Sequence, residues 1–210
     1  MKKIFNEYMN DKIKYSQSQL FGILCLIIVI SGVIGWIYEF VFYYFNGGMK
    51  QFYMQGGNFL PWINIYAIGA VMIILLTYKF KHSPLYVFLI SFFSTGVLEY
   101  LAGLLIYVFG NGARYWDYNV EIFNFGNING FVCLRSVTFF GISALLLMYI
   151  LLPFCIYLSK KFNSKKFVIF SVTLFCIFLF DEIYNLLLSR IFNLPNAIEI
   201  YKSLGFKYVK

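Results

Sequence analysis

The sequence predicts an all-α integral membrane protein with about five transmembrane helices. Of the 210 residues, 61% are hydrophobic and only 12% are charged, whereas soluble domains carry about 25% charged residues. A soluble domain of this length cannot bury so much apolar surface, because many residues of a small globule must face water. The apolar residues also form long blocks, and a helix needs about 20 of them to cross a bilayer. Together these observations exclude an ordinary soluble enzyme and a disordered chain.

The charge and the cysteines support the same class. The net charge of +8 comes from lysines clustered between the apolar blocks, which indicates membrane topology rather than a nucleic-acid partner. The four cysteines lie in or beside apolar blocks without a CxxC pair, which is typical of small buried hydrophobes. We therefore expect neither a metal site nor a cofactor.

Three segments are predicted along the chain. In residues 1–19, lysines surround apolar residues at helical spacing, a pattern typical of a basic helix on an anionic leaflet. Residues 20–192 form the transmembrane domain, and residues 193–210 form a short amphipathic tail. The five apolar blocks of the domain are Leu20–Phe45, Trp62–Lys79, Pro84–Phe109, Cys133–Leu158 and Phe167–Phe192.

Prolines and connections refine these elements. Pro61 and Pro84 stand at helix starts, where the missing N–H costs nothing, and Pro153 predicts a kink near the end of the fourth span. Two connections are only a few residues long. The loop 110–132 is long and rich in glycine, asparagine and aromatic residues, and ordered long loops are often functional.

The lysines predict the orientation. Clusters precede the first span, follow the second and follow the fourth, whereas Lys50 is the only lysine of the loop after the first span. Because cytoplasmic loops carry the excess of positive residues, we expect a cytoplasmic N-terminus and an outside C-terminus. Lys202, Lys207 and Lys210 in the tail oppose this assignment weakly.

Acidic residues inside the apolar blocks are the first candidates for function. Glu39, Glu99 and Asp181 each lie on a small or polar stripe with four-residue spacing, so each stripe occupies one helix face. At 1.5 Å per residue they lie about 28, 22 and 21 Å from the cytoplasmic side. Intramembrane charges are costly and usually face the bundle interior. Glu182, about 100° around the helix from Asp181, is predicted to be structural.

Other polar residues are predicted at the same depth. They lie at the starts of the two spans that run inward, four residues after Asp181 on the fifth span, and in the loop above these spans. The candidate ligand- or ion-binding residues are therefore Glu39, Glu99, Asp117, Tyr118, Asp181, Asn185, Arg135, Trp116, Asn64 and Tyr66. Either they form one outward-opening polar site, or they are buried hydrogen bonds between helices. Burial raises the pKa of such acids unless an arginine such as Arg135 or Arg190 pairs with them.

Five short motifs follow one another over about residues 30–160. They read GWIYE (35–39), NIYAIGA (64–70), LEY (98–100), YWDYN (115–119) and NGFVCL (129–134). In this order they resemble the motifs GW-x-YE, PIYG-x-GA, LEY, WWDYS and NGRICL of a bacterial membrane family known as ABC-transporter type IV. The resemblance implies a multi-pass protein of the bacterial cytoplasmic membrane, connected with transport, in which Glu39, Glu99 and Asp117 are marked positions.

The chain departs from the family pattern at five positions. Asn64 stands for proline, Ala67 for glycine, Tyr115 for tryptophan, Asn119 for serine and Phe131 for arginine. The lost arginine changes any charge pairing of the family, and Arg135, one turn further, is the nearest replacement.

Three function classes remain open. The first is a small transporter or translocase subunit whose acidic site binds a cation, a proton or an amphipathic substrate. The second is a non-catalytic membrane partner or lipid-binding protein. The third is an enzyme acting on a lipid-linked substrate with carboxylates as acid and base. The sequence has no ATPase P-loop, zinc-protease or serine-hydrolase motif, so ATP hydrolysis would need a separate subunit. A homodimer would enlarge the enclosed cavity.

Overall fold

The computed structural model describes residues 1–46, 54–114 and 116–207. Within these ranges the regular structure is helical, apart from an isolated antiparallel bridge between Ile128 and Val132. The all-α prediction is therefore confirmed. Three residues used above, Lys50, Tyr115 and Lys210, lie outside the described part of the chain.

The described residues form nine α-helices, joined in places by short turns of different pitch. The helices are α1 Lys2–Met9, α2 Gln17–Asn46, α3 Asn64–Thr77, α4 Pro84–Phe109, α5 Leu134–Leu146, α6 Leu152–Lys161, α7 Ser164–Ile183, α8 Ser189–Ile191 and α9 Ala197–Ser203. A 3-10 turn, Tyr78–Phe80, follows α3. Two π-helical turns join α5 to α6 and α7 to α8 and span Leu147–Leu151 and Tyr184–Leu188.

Four continuous helical stretches of the described chain are long and apolar enough to cross a membrane. They are Gln17–Phe45, Pro84–Phe109, Leu134–Lys161 and Ser164–Ile191. The predicted span Trp62–Lys79 corresponds to the apolar helix Asn64–Phe80, whose length of about 26 Å is less than the roughly 30 Å of hydrocarbon. The chain is a multi-pass membrane protein, and its orientation stays a prediction.

The chain divides into two compact units. Unit one contains Met1–Val71 and Phe154–Lys210, and unit two contains Met72–Pro153. In unit one, α2 packs against α7, and small residues of α2 allow the close approach. A Cβ on Gly22 would touch the Phe167 ring at 3.3 Å. The core of this unit includes Val29, Trp62, Ala67 and Phe178.

In unit two, α4 packs against α5 through glycines on both helices. A Cβ on Gly141 would lie 2.6 Å from the Phe88 ring, and one on Gly96 would lie 2.9 Å from Val137. Larger residues would push the helices apart. The polar stripe of α4 faces inward here, because Ser91 and Thr95 are buried.

The predicted kink at Pro153 corresponds to a local change of helical pitch. The π-helical turn Leu147–Leu151 ends two residues before Pro153. Proline lacks an N–H and its ring clashes with the carbonyl four residues earlier, here that of Tyr149. The wider π turn makes room for that clash within a continuous helical stretch.

Candidate functional site

The carboxylate of Glu99 in α4 is the centre of the polar contacts in unit two. Its Oε1 accepts a hydrogen bond from the Tyr118 hydroxyl at 2.5 Å, and its Oε2 accepts one from Ser136 Oγ at 2.7 Å. Tyr118 belongs to residues 110–133, which we call the α4–α5 connection, and Ser136 lies in the first turn of α5. These three residues, from three elements, form the Glu99 centre.

The sequence places Ser136 at the Glu99 centre through a helix cap. The backbone N–H of Cys133 donates to Ser136 Oγ at 3.3 Å, which satisfies a donor just before the first turn of α5. In a capping box the third helical residue, usually Glu or Gln, accepts from the N–H of the N-cap residue, and Ser136 takes that place here. The cap fixes the hydroxyl beside α4, so Ser136 both starts its helix and donates to Glu99.

Tyr118 reaches Glu99 because the α4–α5 connection is itself hydrogen bonded. The Tyr118 N–H donates to the Gly130 carbonyl at 3.0 Å, and Trp116 Nε1 donates to the Phe131 carbonyl at 2.9 Å. Gly130 has a φ of +76°, a conformation that favours glycine, and a Cβ there would collide with Asp117. The glycine therefore permits the two sides of the connection to approach.

Asp117 organises this connection rather than contacting Glu99. Its Oδ1 accepts from the backbone N–H of Asn119 at 3.0 Å and from the Asn119 amide at 2.7 Å. Arg114 Nη1 lies 3.5 Å from the same oxygen and donates to the Asn129 carbonyl at 2.9 Å. This Asx-type turn makes Asp117 and Trp116 supports for Tyr118.

The Tyr118 phenol is buried, with 9% of the residue exposed. Burial raises the pKa of Tyr118 well above its ordinary value, and the neighbouring Glu99 carboxylate raises it further. The phenol therefore stays protonated at neutral pH and is the donor of the hydrogen bond to Glu99.

Arg135 pairs with an acid of the α4–α5 connection. Its Nη2 forms an ion pair with Glu121 of the α4–α5 connection, and both side chains are less than one-fifth exposed. The guanidinium also lies 5.4 Å from the centroid of the Tyr118 ring. Arg135 therefore holds the connection against α5, and Glu121 is a partner that sequence reasoning did not find.

In unit one, Asp181 of α7 fastens a loop to the helix. Its Oδ1 accepts from the Phe59 N–H at 2.9 Å and from Asn185 Nδ2 at 2.8 Å, and its Oδ2 accepts from the Leu60 N–H at 3.0 Å. Asn185 Oδ1 in turn accepts from the Ala197 N–H at 2.7 Å. Asp181 and Asn185, which we call the Asp181 clamp, thus hold two segments that are distant in sequence.

Glu182 is also buried and has amide partners from the same loop. Asn58 Nδ2 donates to its Oε1 at 2.7 Å, and Asn64 Nδ2 donates to its Oε2 at 3.1 Å. These contacts agree with the structural role predicted for Glu182. Asn58 was not predicted, because it lies in a loop 124 residues from its partner and no helical spacing connects the two.

Glu39 of α2 has a tyrosine partner on α3. The Tyr66 hydroxyl donates to Glu39 Oε1 at 3.0 Å. Gly35, one turn before Glu39, lies directly against the Tyr66 ring, where a Cβ would overlap it. The glycine of the GWIYE motif therefore makes room for the ring that reaches its glutamate.

The predicted site residues thus fall into groups within each unit. Unit one joins Glu39 to Tyr66, Asp181 to Asn185, and Asn64 to Glu182. Unit two joins Glu99 to Tyr118, with Arg135, Trp116 and Asp117 in supporting contacts. A single site that contains Glu39, Glu99 and Asp181 together stays a prediction. Arg190 is exposed. Among the described residues, no cluster of three or more His, Cys, Asp or Glu side chains could hold a metal ion.

An apolar groove of about 520 Å³ lies in unit two, and Glu99, Tyr118 and Ser136 are not among the residues that line it. Its wall comes from α4, the α4–α5 connection and the start of α5, and includes Gly96, Tyr100, Cys133 and Val137. Gly96 and Tyr100 flank Glu99 on α4, and Cys133 and Val137 flank Ser136. The groove and the carboxylate therefore share the same two helices.

A comparison of the chain with models of known protein families gives a match over this region. Residues 26–186 match the family described as "Putative ABC-transporter type IV". The chain belongs to this family. The ABC-transporter type IV match extends beyond the predicted 30–160 region and includes Asp181, Glu182 and Asn185. Searches of curated proteins and of solved structures gave no match. The protein is therefore a transporter-related membrane protein, with the Glu99 centre and the Asp181 clamp inside the matched region.

Proposed function

We propose that this protein is the membrane subunit of a transport system and that Glu99 is the carboxylate that binds and releases a proton or a cation. The observation that carries the proposal is the pair of hydroxyl donors on Glu99, from Tyr118 and Ser136. Neutral hydroxyls can rotate and can become acceptors. The carboxylate can therefore exchange a hydroxyl partner for a proton or a cation without leaving a fixed positive charge behind.

The α4–α5 connection supplies the moving part of this proposal. Tyr118 is fixed to the connection by its backbone and to Glu99 by its hydroxyl, so displacement of the connection uncovers the carboxylate. Arg135 pairs with Glu121 of the connection, and the hydroxyls of Tyr118 and Ser136 are the hydrogen-bond donors on Glu99. Because the chain carries no P-loop, a separate ATPase subunit would supply ATP hydrolysis in an ABC-type system.

The test is ion flux in liposomes that contain the purified chain. A trapped pH-sensitive dye reports proton entry under an imposed proton gradient, and a sodium gradient is the second probe. We expect flux with the wild type and its loss in Glu99→Gln, because the amide keeps the size of the side chain but cannot hold a proton or a cation. Tyr118→Phe should retain Glu99 and increase flux, because the carboxylate is no longer covered.

The matched control is Glu199→Gln, which removes one acid from the exposed surface of α9. It should conduct like the wild type, and all variants should elute as single species. Equal flux in Glu99→Gln and the wild type would refute the role of Glu99. Absence of flux in the wild type, with either gradient, would favour a non-catalytic membrane partner.

A second candidate is an amphipathic substrate, and the apolar groove favours it. Its volume of about 520 Å³ lies in the range of about 300–1,000 Å³ usual for small-molecule sites. The groove and Glu99 belong to the same unit, so a cationic head at Glu99 and a hydrocarbon part in the groove would use both features. Binding of a long-chain alkylammonium and of an anionic detergent of equal chain length tests it, since Glu99→Gln should weaken the binding of the cation and leave that of the anion unchanged.

A further inference from the structure

One end of unit one carries a dense group of exposed lysines. They come from α1, from the linker between α1 and α2, from the end of α6 and from the start of α7. The eight are Lys2, Lys3, Lys12, Lys14, Lys160, Lys161, Lys165 and Lys166. We call this group the lysine surface. The Glu99 centre contains none of it, so its role is independent of the function proposed above.

Contacts between distant segments hold the lysine surface together. Lys160 Nζ donates to the Lys14 carbonyl at 2.6 Å and lies 5.4 Å from the centroid of the Tyr15 ring. Gln19, near the start of α2, donates to the Ser159 carbonyl at 3.4 Å. The α1 helix is anchored by Tyr8, which is 1% exposed. The linker and α1 are therefore fixed at the ends of α2 and α6.

The positive charge of this surface is mostly unbalanced. Residues 1–16 and 159–166 contain eight lysines but only two acids, Glu7 and Asp11. Glu7 lies 4.0 Å from Lys3, so the lysines of these segments outnumber their acids four to one. An ammonium group has three donors, and Lys160 uses one of them on the Lys14 carbonyl. Its exposed position leaves two donors for an anion.

The depth of the lysine surface in the membrane favours a lipid headgroup as its partner. The apolar helices α2, α6 and α7 begin or end at these lysines, so their ammonium groups lie where hydrocarbon gives way to lipid headgroups. Tyr157 and Phe162 lie 5.7 and 5.9 Å from Lys161 Nζ, and aromatic rings of this kind are typical of the interface. A headgroup phosphate is already at this level, whereas an acidic protein would have to arrive from water.

We propose that the lysine surface is a binding site for the headgroup of an anionic phospholipid, centred on Lys14, Lys160 and Lys161. Phosphate oxygens accept from the ammonium groups, and the fixed linker keeps these groups close together before the lipid binds. Basic pockets at the ends of transmembrane helices are suited to such headgroups.

The experiment measures lipid binding to the purified full chain in neutral detergent. Phosphatidylglycerol and phosphatidylcholine are titrated separately, and the shift in apparent melting temperature and the lipid retained in native mass spectrometry are recorded. We expect binding of phosphatidylglycerol only. Lys160→Gln/Lys161→Gln should weaken it about 25-fold, since each lysine near a membrane contributes about fivefold, and added salt should weaken wild-type binding.

Two further variants keep the proposal falsifiable. Lys202→Gln/Lys207→Gln removes the same charge from the exposed tail and should bind like the wild type, and Lys160→Arg/Lys161→Arg should retain binding. If the two glutamine pairs weaken lipid binding equally, binding depends only on the net charge of the chain and the proposal is wrong. Equal binding of both lipids by the wild type would also overturn it and would leave the lysines a role in membrane insertion or in contact with an acidic protein.

Discussion

Glu99 in unit two and Asp181 in unit one are the same kind of feature in the sequence but have different partners in the structure. Each is an acid on a polar stripe of an apolar helix. Asp181 accepts two backbone N–H groups and one amide, all of which are fixed donors. Glu99 accepts two side-chain hydroxyls, which can rotate. The number of acids in a membrane helix thus says less about function than the mobility of their donors.

The difference also concerns what each acid holds in place. Asp181 fixes the chain at residues 59–60 directly through the backbone, and the clamp continues through Asn185 to Ala197. Glu99 contacts the α4–α5 connection only through the end of the Tyr118 side chain. Loss of Asp181 therefore damages the fold, whereas loss of Glu99 leaves most of the connection's own hydrogen bonds intact. Three measurements test whether Glu99 and Asp181 differ in this way.

The largest expected effect is the loss of stability in Asp181→Ala. The variant leaves the N–H groups of Phe59 and Leu60 without their acceptor, and because both hydrogen bonds are part-buried each loss costs about 1–2 kcal/mol. We expect the free energy of unfolding in detergent to fall by about 2–4 kcal/mol. Glu99→Gln should change it by less than about 1 kcal/mol, because the amide oxygen still accepts from a hydroxyl. Denaturant unfolding followed by tryptophan fluorescence measures both.

The control for Asp181→Ala is Glu199→Gln, which neutralises an exposed acid of α9 in the same unit and keeps an oxygen that can accept from the Asn196 N–H. It should unfold like the wild type. If Glu99→Gln costs as much as Asp181→Ala, the two acids are equivalent structural supports and the contrast is wrong.

A smaller effect is expected from the ion pair that holds the α4–α5 connection to α5. A double-mutant cycle of Arg135→Gln and Glu121→Gln isolates their interaction. Because both side chains are partly exposed, at 19% and 18%, we expect a coupling of about 1 kcal/mol that decreases with added salt. A coupling of zero, or one insensitive to salt, would mean that hydrogen bonds alone hold the connection.

The fold could be predicted largely because its signals are local. The apolar runs predicted four of the membrane helices to within a few residues. The length of a run and the position of a proline determine the helix ends locally, without contacts to distant segments. The apolar helix Asn64–Phe80 also begins within two residues of the predicted Trp62. The Asn64 side chain is bound by Glu182, and Trp62 belongs to the core with Phe178. Such tertiary contacts, which periodicity cannot contain, decide the residue at which the helix begins.

The site was predictable only in part, for a related reason. Glu39, Glu99 and Asp181 could be predicted because charge inside an apolar helix is costly, and Tyr118 could be predicted from the WDYN motif. Their actual partners, such as Asn58 for Glu182 and Glu121 for Arg135, come from loops. An asparagine or glutamate in a loop carries no spacing signal. Sequence could therefore identify the acids and some of their donors, such as Tyr118 and Asn64, but not the loop partners or which residues contact each other.

The smallest expected effect is the contribution of Tyr118 to stability at alkaline pH. Because the pKa of Tyr118 is raised above its ordinary value of 10.0, the folded state keeps a proton that the unfolded state loses as the pH rises past about 10. Stability from this residue is therefore constant below about pH 10 and decreases above it, by at most about 1.4 kcal/mol per pH unit. Tyr118→Phe should remove that part of the alkaline decrease.

Tyr66→Phe is the matched variant in unit one, because Tyr66 also donates to a glutamate, at 3.0 Å. Urea unfolding of both variants at neutral pH and above pH 10 gives the comparison. The other tyrosines contribute equally to all samples and cancel in the differences. If Tyr118→Phe and the wild type lose the same stability above about pH 10, the phenol is not buried against Glu99. The donor of the Glu99 centre would then be solvated, and nothing would distinguish that centre from an ordinary surface acid.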